Sequence, residues 1–292
     1  MMTPVLGTVL KAKVTDENDA FFFAQVDGFT YEIAKSELKK PLKMNGFVTG
    51  FAYQNEQHQL QITKTEPLVQ KDQYAWGRVV ASRHDLGVFV SIGLPNKDVV
   101  VSLDDLPTIS SLWPKKDDLL MLALKEDNKG RLWGQLAQQD IFQAVARRPR
   151  DVKKGQKIQA TVYRNKLVGT LVITENYELG FIHPSERYEE PRLGEVLEAR
   201  VIGVSEHGVL NLSLKPLAYQ VMDEDAKFLL TQLQRRSDHF LPFNDKSDPA
   251  AIKKQFGFSK GQFKRALGRL YKERLITQDE AGIHLVGAQS DD

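Results

Sequence analysis

Cysteine is absent from the 292-residue chain. Its absence excludes disulfides, thiolate metal sites and a cysteine nucleophile, and it fits a reducing compartment. Long apolar runs are missing too. No stretch approaches the roughly 18 consecutive apolar residues of a membrane span, and the N-terminus lacks a signal-peptide core. A cytoplasmic protein with no membrane partner is expected. The six histidines are scattered, without HExxH or comparable metal-ligand spacing. Neither a Walker A loop, a Rossmann glycine pattern nor a GxSxG elbow is present. The carboxylate pairs Asp104/Asp105 and Asp117/Asp118 fall in turn-like segments and are not spaced for two metals. No catalysis, metal or cofactor is therefore expected. There is also no surplus of one charge. Lys+Arg number 40 and Asp+Glu 38, a net +2, so partners must be read from local clusters.

What the chain has in abundance is repetition. LGTVLKAKV at 6–14 returns as AWGRVVASR at 75–83 and as IQATVYRNK at 158–166. Gly7, Gly77 and Ala160 anchor these copies at spacings of 70 and 83 residues, the size of a small β-barrel. Four further strand-like runs follow in each copy. In the second they are GVFVSI, VVVSLDDL, KKDDLLMLALK and GRLWGQLA; in the third, GTLVIT, LGFIHPSERY, PRLGEVLEARVIGV and GVLNLSLK. The first copy is looser, with FFFAQV and FTYEIAKSEL the clearest runs, and its register is ambiguous. Alternating apolar and polar residues mark strands with one buried face. Five such strands close most economically as a partly open barrel of the OB type, which removes exposed sheet edges.

From about residue 218 the apolar period lengthens from 2 to 3.6. Asp248-Pro249 reads as an N-cap followed by proline at the first helical position, and Gly257 as the stop. Ser259 and Gln262 form a capping box for a second helix with Phe263, Leu267 and Leu270 on one face. A hairpin over Leu275–Val286 completes a winged helix-turn-helix. The expected domains are thus 1–66, 72–137, 155–216 and 218–288, with a helical then basic connector over 138–154.

The order GRV, LGVFV, DVVVSLDDL, LALKEDNKGRL in the second copy resembles the S1-type OB fold, an RNA-binding module. So do LGFIHPSE and GVLNLSLK in the third. The tail DKSDPAAIKKQFGFSKGQFKRALGRLYKERLI with GIHL, behind three such modules, resembles the conserved virulence factor B family of bacterial RNA-binding proteins. The fold class expected is therefore multidomain and mainly β: three tandem S1-type OB-fold five-stranded barrels followed by an α+β winged helix-turn-helix. The resemblance implies binding of single-stranded RNA and post-transcriptional influence on gene expression, without enzymatic activity.

S1-type modules hold a single strand with an outward aromatic on the second strand, a histidine after the third and an Asp/Arg pair near the fifth. The resemblance places these at Phe89, Ser102, Asp127 and Arg131 in the second copy, with serine replacing the usual histidine. Strand parity adds Trp133: if Leu132 and Leu136 point inward, Arg131 and Trp133 point out together. Trp76 is a weaker third platform. The third copy keeps His183 and Phe181 but has Leu171, Ser205 and Val209 at the other positions, with Tyr163 and Arg164 as partial compensation. The first copy offers Phe21, Phe22, Phe23 and Tyr31, and uncharged Asn55 and Gln59. Plain alternatives stand beside each: Phe89 as interdomain packing, Arg131 as a solvated turn cation, Trp133 as an interface residue, His183 as a turn hydrogen-bonder.

Two basic clusters remain. The second helix of the C-terminal domain carries Lys260, Lys264, Arg265, Arg269 and Lys272, with i,i+4 pairs sharing faces suited to phosphate or to duplex DNA or RNA. Arg147, Arg148, Arg150, Lys153, Lys154 and Lys157 line the connector. Either cluster is equally readable as a solvated face. The rival functions are a duplex-DNA-binding regulator working through the winged helix, a nuclease or nuclease subunit, and a non-catalytic scaffold.

Overall fold

The computed structural model describes residues 3–216 and 224–287; residues 218–223 and 288 of the expected C-terminal domain lie outside them. The chain divides into two compact units, Met1–Leu214 and Lys215–Asp292.

The first unit holds three closed five-stranded barrels. The first is built from β1 (Thr8–Glu17), β2 (Phe21–Val26), β3 (Phe29–Ala34), β4 (Phe47–Gln54) and β5 (Leu60–Thr63). The second uses β6 (Ala75–Arg83), β7 (Gly87–Ser91), β8 (Val99–Ser102), β9 (Leu119–Glu126) and β10 (Leu132–Leu136). After α1 (Gln139–Val145) come β11 (Lys157–Lys166), β12 (Gly169–Thr174), β13 (Leu179–Ile182), β14 (Val196–Val204) and β15 (Leu210–Ser213). In each barrel, closure is made by a parallel pairing of the third and fifth strands: Glu32 with Gln61, Val101 with Gly134, Phe181 with Asn211. Alternate residues fill each interior. In the second barrel Val79, Val88, Val90, Val101 and Leu122 are fully buried, each contributing roughly 1.5–3 kcal/mol. Gly77 is required there, because a Cβ would sit 2.5 Å from Val90 Cγ1.

A bulge interrupts the first strand of every barrel, between Val14 and Asp16, Val79 and Ala81, and Val162 and Arg164. It fixes the equivalence of the copies and corrects the first one. Ala12, not Gly7, matches Gly77 and Ala160. Gly7 instead precedes β1 with φ +76, against Lys71 of the linker and Leu132 of the next module. An early turn residue had imitated the interior small residue.

The barrels pack on one another. Phe51 and Tyr53, on the outer side of β4, are fully buried within the second barrel's apolar cluster. Between the second and third barrels, Phe142 of α1 is buried with Met121, Ala137 and Ile173. Arg192 clasps Asp118 through two contacts of 3.2 Å, and Leu119 donates its backbone N–H to Gly194 O.

The second unit orders α2 (Glu224–Arg235), β16 (Phe240–Leu241), α3 (Pro249–Phe256), α4 (Lys260–Lys272), β17 (Ile276–Gln278) and β18 (Ile283–Leu285). Asp248 accepts the Ala251 N–H at 3.0 Å, and Ser259 and Gln262 form the reciprocal capping box. The α4 stripe of Phe263, Ala266, Leu267 and Leu270 is buried with Leu229, Leu233 and Ile252. β16 joins the hairpin as a third strand beside β18. With only two residues it carries no periodic signal. The multidomain, mainly β architecture with a C-terminal winged helix is thus the one expected.

Candidate nucleic-acid interface

The shared bulge aligns one row of outward side chains across four adjacent strands in each barrel. In the second barrel, Phe89 pairs with Ala81 on one side and Val100 on the other. Val101 faces Gly134 across the parallel closure, so one residue back Val100 lies beside Trp133. Because Val88, Val90 and Val101 are fully buried, Phe89, Val100 and Trp133 occupy the outer wall, each half-buried. The corresponding row in the third barrel is Arg164, Leu171, Phe181 and Asn211. Here the aromatic has moved one strand over, from the second to the third. Phe181 leans over Gly169, whose missing side chain makes the room: a Cβ would lie 2.5 Å from the ring.

The first barrel's row is Asp16, Phe23, Glu32 and Gln61. It carries two carboxylates, and Gln61 is sealed by Tyr53 Oη at 2.9 Å and Asn96 Nδ2 at 2.9 Å from the second module. Burial pushes the Tyr53 phenol well above its usual range. Phe22 and Tyr31 are core residues, Tyr31 donating its hydroxyl to Val5 O at 3.0 Å. Among the aromatics that sequence offered for this copy, those two are withdrawn.

Asp127, Arg131 and Trp133 form one cluster. Asp127 Oδ1 accepts the backbone N–H groups of Lys129 at 2.8 Å and Arg131 at 3.0 Å. Its Oδ2 accepts Arg131 Nε at 2.8 Å and the Trp133 indole N–H at 3.2 Å. The Arg131 backbone N–H, then its guanidinium, with Lys129 and Trp133 helping, hold the Asp127 carboxyl far below the usual carboxylate range. Arg131 lies over Trp133, 5.5 Å from the ring centroid. The same turn recurs in the other barrels, where Asn55 Oδ1 accepts the Gln59 N–H at 2.9 Å and Ser205 Oγ that of Val209 at 3.0 Å. The position is first a hairpin lock. Only in the second barrel does it also hold a cation against an indole.

His183 is exposed, 6.4 Å between ring centroids from Phe181. Its Nδ1 accepts the Ser185 N–H at 3.2 Å and caps a single 3-10 turn. Ser102 caps the equivalent turn through the Asp104 N–H at 3.3 Å. Serine therefore replaces histidine without loss of the cap, but with loss of the ring.

Trp76, expected as a weaker third platform, and Tyr163, expected with Arg164 as partial compensation, do not stand on the outer walls; they flank Phe142 between the second and third barrels. Tyr163 stacks on Phe142 at 4.1 Å, and Trp76 tilts against it at 6.2 Å. Burial pushes the Tyr163 phenol up. Along the connector, Arg147, Arg148, Arg150, Lys153 and Lys154 are exposed, while Lys157 pairs with Glu198 at 2.7 Å. The segment is pinned to the third barrel by the Arg147 N–H to Tyr177 O at 2.8 Å.

On α4, Lys264, Arg265 and Lys272 are exposed and Lys260 is half-buried. Arg269 is engaged by Glu273 at 3.4 Å.

Comparison with known proteins bears on this arrangement. Residues 74–135 match the model of the CvfB first S1-like domain, and 142–216 that of the virulence regulatory factor CvfB second domain. Residues 6–65 match the S1 domain and 227–285 the CvfB-like winged helix domain. The Bacillus subtilis protein YitL is 37% identical over 273 residues, covering 94% of this chain and 91% of YitL. The chain belongs to the CvfB family. Conserved virulence factor B of Staphylococcus epidermidis is 40% identical over 237 residues, 80% of this chain and 78% of that protein. A crystal structure of a multidomain protein with nucleic acid binding domains from Streptococcus pneumoniae aligns with TM-score 0.70 and 49% identity, covering 96% of this chain and 98% of that one. The S1-like and winged-helix domains support nucleic-acid binding. The CvfB second-domain match begins at 142, which agrees with Phe142 and the connector being packed on the third barrel.

Proposed function

We propose that this protein is a cytoplasmic, non-catalytic binder of single-stranded RNA that modulates gene expression post-transcriptionally. The observation that carries the reading is the second barrel's outer row, Phe89, Val100 and Trp133, with Arg131 beside it. An open ring stacks on any base for roughly 1–3 kcal/mol, and a neighbouring cation answers the phosphate. The third barrel supplies a weaker copy through Phe181, Arg164 and His183. Lys264, Arg265 and Lys272 give the winged helix a phosphate-facing surface, with Lys260 at its edge and Arg269 shielded by its ion pair. The first barrel's acidic row, half sealed by its neighbour, suits a structural cap. Packing of neighbouring barrels raises the effective concentration of each site for the next stretch of strand.

The test is equilibrium binding of a labelled single-stranded RNA and a duplex DNA of equal length to the full chain. Tighter binding of the RNA is expected. Preference for the duplex would replace this reading with regulation of DNA through the winged helix.

A further inference from the structure

We propose that the cavity between the second and third barrels receives a single nucleobase. This deepens the RNA-binding reading and takes from it the source of the base, a bound strand. The cavity has a volume of about 250 Å³. That is just under the roughly 300–1,000 Å³ of sites for drug-sized ligands, so it suits one ring system. Trp76, Phe142 and Tyr163 line it on the aromatic side. Their mutual packing, at 6.2 Å and 4.1 Å from the Phe142 ring, holds this wall in place before any ligand arrives.

The polar side is lined by Asp105, Gln138, Arg164 and Asn165. Asn165 lines the cavity, and its Nδ2 donates to Pro191 O at 2.8 Å and Glu190 Oε1 at 3.3 Å. Both partners are acceptors, so the amide orientation is dictated by its surroundings. Asn165 Oδ1 is left buried with no donor among the described residues and faces protein rather than the open space. Asp105 also lines the cavity and is the acceptor for a ring N–H or exocyclic amino group of a base.

Arg164 links the cavity to the outer wall. It lines the cavity and also heads the row of Leu171, Phe181 and Asn211. A strand lying on that row passes the cavity with a phosphate at Arg164 and one base free to turn inward. A free nucleotide offers the same chemistry, and the test separates the two sources.

Single-stranded RNA carrying photoreactive thiouridine or thioguanosine is bound to the full chain, irradiated, and the cross-linked peptides are mapped by mass spectrometry. In parallel the four nucleoside monophosphates are titrated against tryptophan fluorescence. Cross-links at Trp76, Phe142 or Tyr163 are expected. Gln138→Glu should lower their yield and weaken RNA binding about ten-fold without touching the core, since Gln138 is exposed and its Oε1 lies 3.5 Å from Arg164 Nη1, the cation that meets the phosphate. If RNA binds but cross-links only to the outer walls, the inference is overturned and the RNA-binding reading stands. If RNA fails to bind while a monophosphate quenches the fluorescence and Gln138→Glu abolishes the quenching, the cavity holds a free nucleotide and the RNA reading falls. If neither binds, both fall.

Discussion

Phe142→Ala should uncouple the second and third barrels. The side chain is 2% exposed and packs against Met121, Ala137 and Ile173, with Tyr163 stacked on it at 4.1 Å. Truncating a buried phenylalanine costs about 3–5 kcal/mol, and the missing ring pairs add about 0.5–1.5 kcal/mol each. Against this, α1 is short, and the cavity beside it lets the walls close in. The Arg192–Asp118 clasp also still joins the barrels. The lower end is therefore expected, about 3 kcal/mol. Trp76, Trp113 and Trp133 all belong to the second module, so tryptophan emission during urea unfolding reports on it. With a urea slope of about 1–3 kcal/mol/M, the midpoint should fall by about 1–3 M. A strand long enough to span two barrels should also lose affinity, whereas one covering a single barrel should not. A stability change below about 1 kcal/mol, or equal effects on long and short strands, would overturn this expectation.

Three further outcomes are expected. Asp127→Asn should keep the β9–β10 turn, as Asn55 does in the first barrel, whereas Asp127→Ala should release both Arg131 and Trp133; the Trp133 indole resonance in an NMR spectrum distinguishes them. A depressed carboxyl pKa stabilises the fold above the unfolded value, and the contribution is lost only as pH falls through the folded one. That resonance should accordingly hold its position through about pH 4, where an ordinary aspartate titrates; a midpoint there would contradict the assigned bonds. Lys264→Ala with Arg265→Ala should reduce the slope of log affinity against log salt by about 0.7 for each phosphate no longer neutralised. Arg269→Ala should change it less, because that guanidinium is engaged by Glu273 and is only 36% exposed, whereas Arg131 stays 55% exposed in its pair with Asp127.

Features set by local chemistry were legible in the sequence. Strand parity put Val88 and Val90 inside and Phe89 outside, because alternation is a property of the strand alone. The Asp248-Pro249 start and the Ser259/Gln262 box were legible for the same reason. What escaped was set by distant packing or by irregular backbone. The bulge after Val14 hid the first copy's register, since one extra residue shifts which small residue faces the interior. Trp76 and Tyr163 were not legible as cavity-wall rings because nothing in their own strands announces that Phe142, from a helix in another segment, will pack against them. Asp127 read as half of a binding pair, yet its oxygens are already occupied. The signal that could have shown this was the recurrence of Asn55, Asp127 and Ser205, all side chains able to accept the N–H four residues on.

The outer wall of the second barrel is where the strand is expected to be gripped. Binding of labelled single-stranded RNA to the full chain carrying Phe89→Ala with Arg131→Ala tests this most directly. Removing one stacked base alone corresponds to roughly 1–3 kcal/mol, so affinity should drop about ten-fold or more while the fold is retained. Wild-type affinity in a folded double variant would contradict the claim.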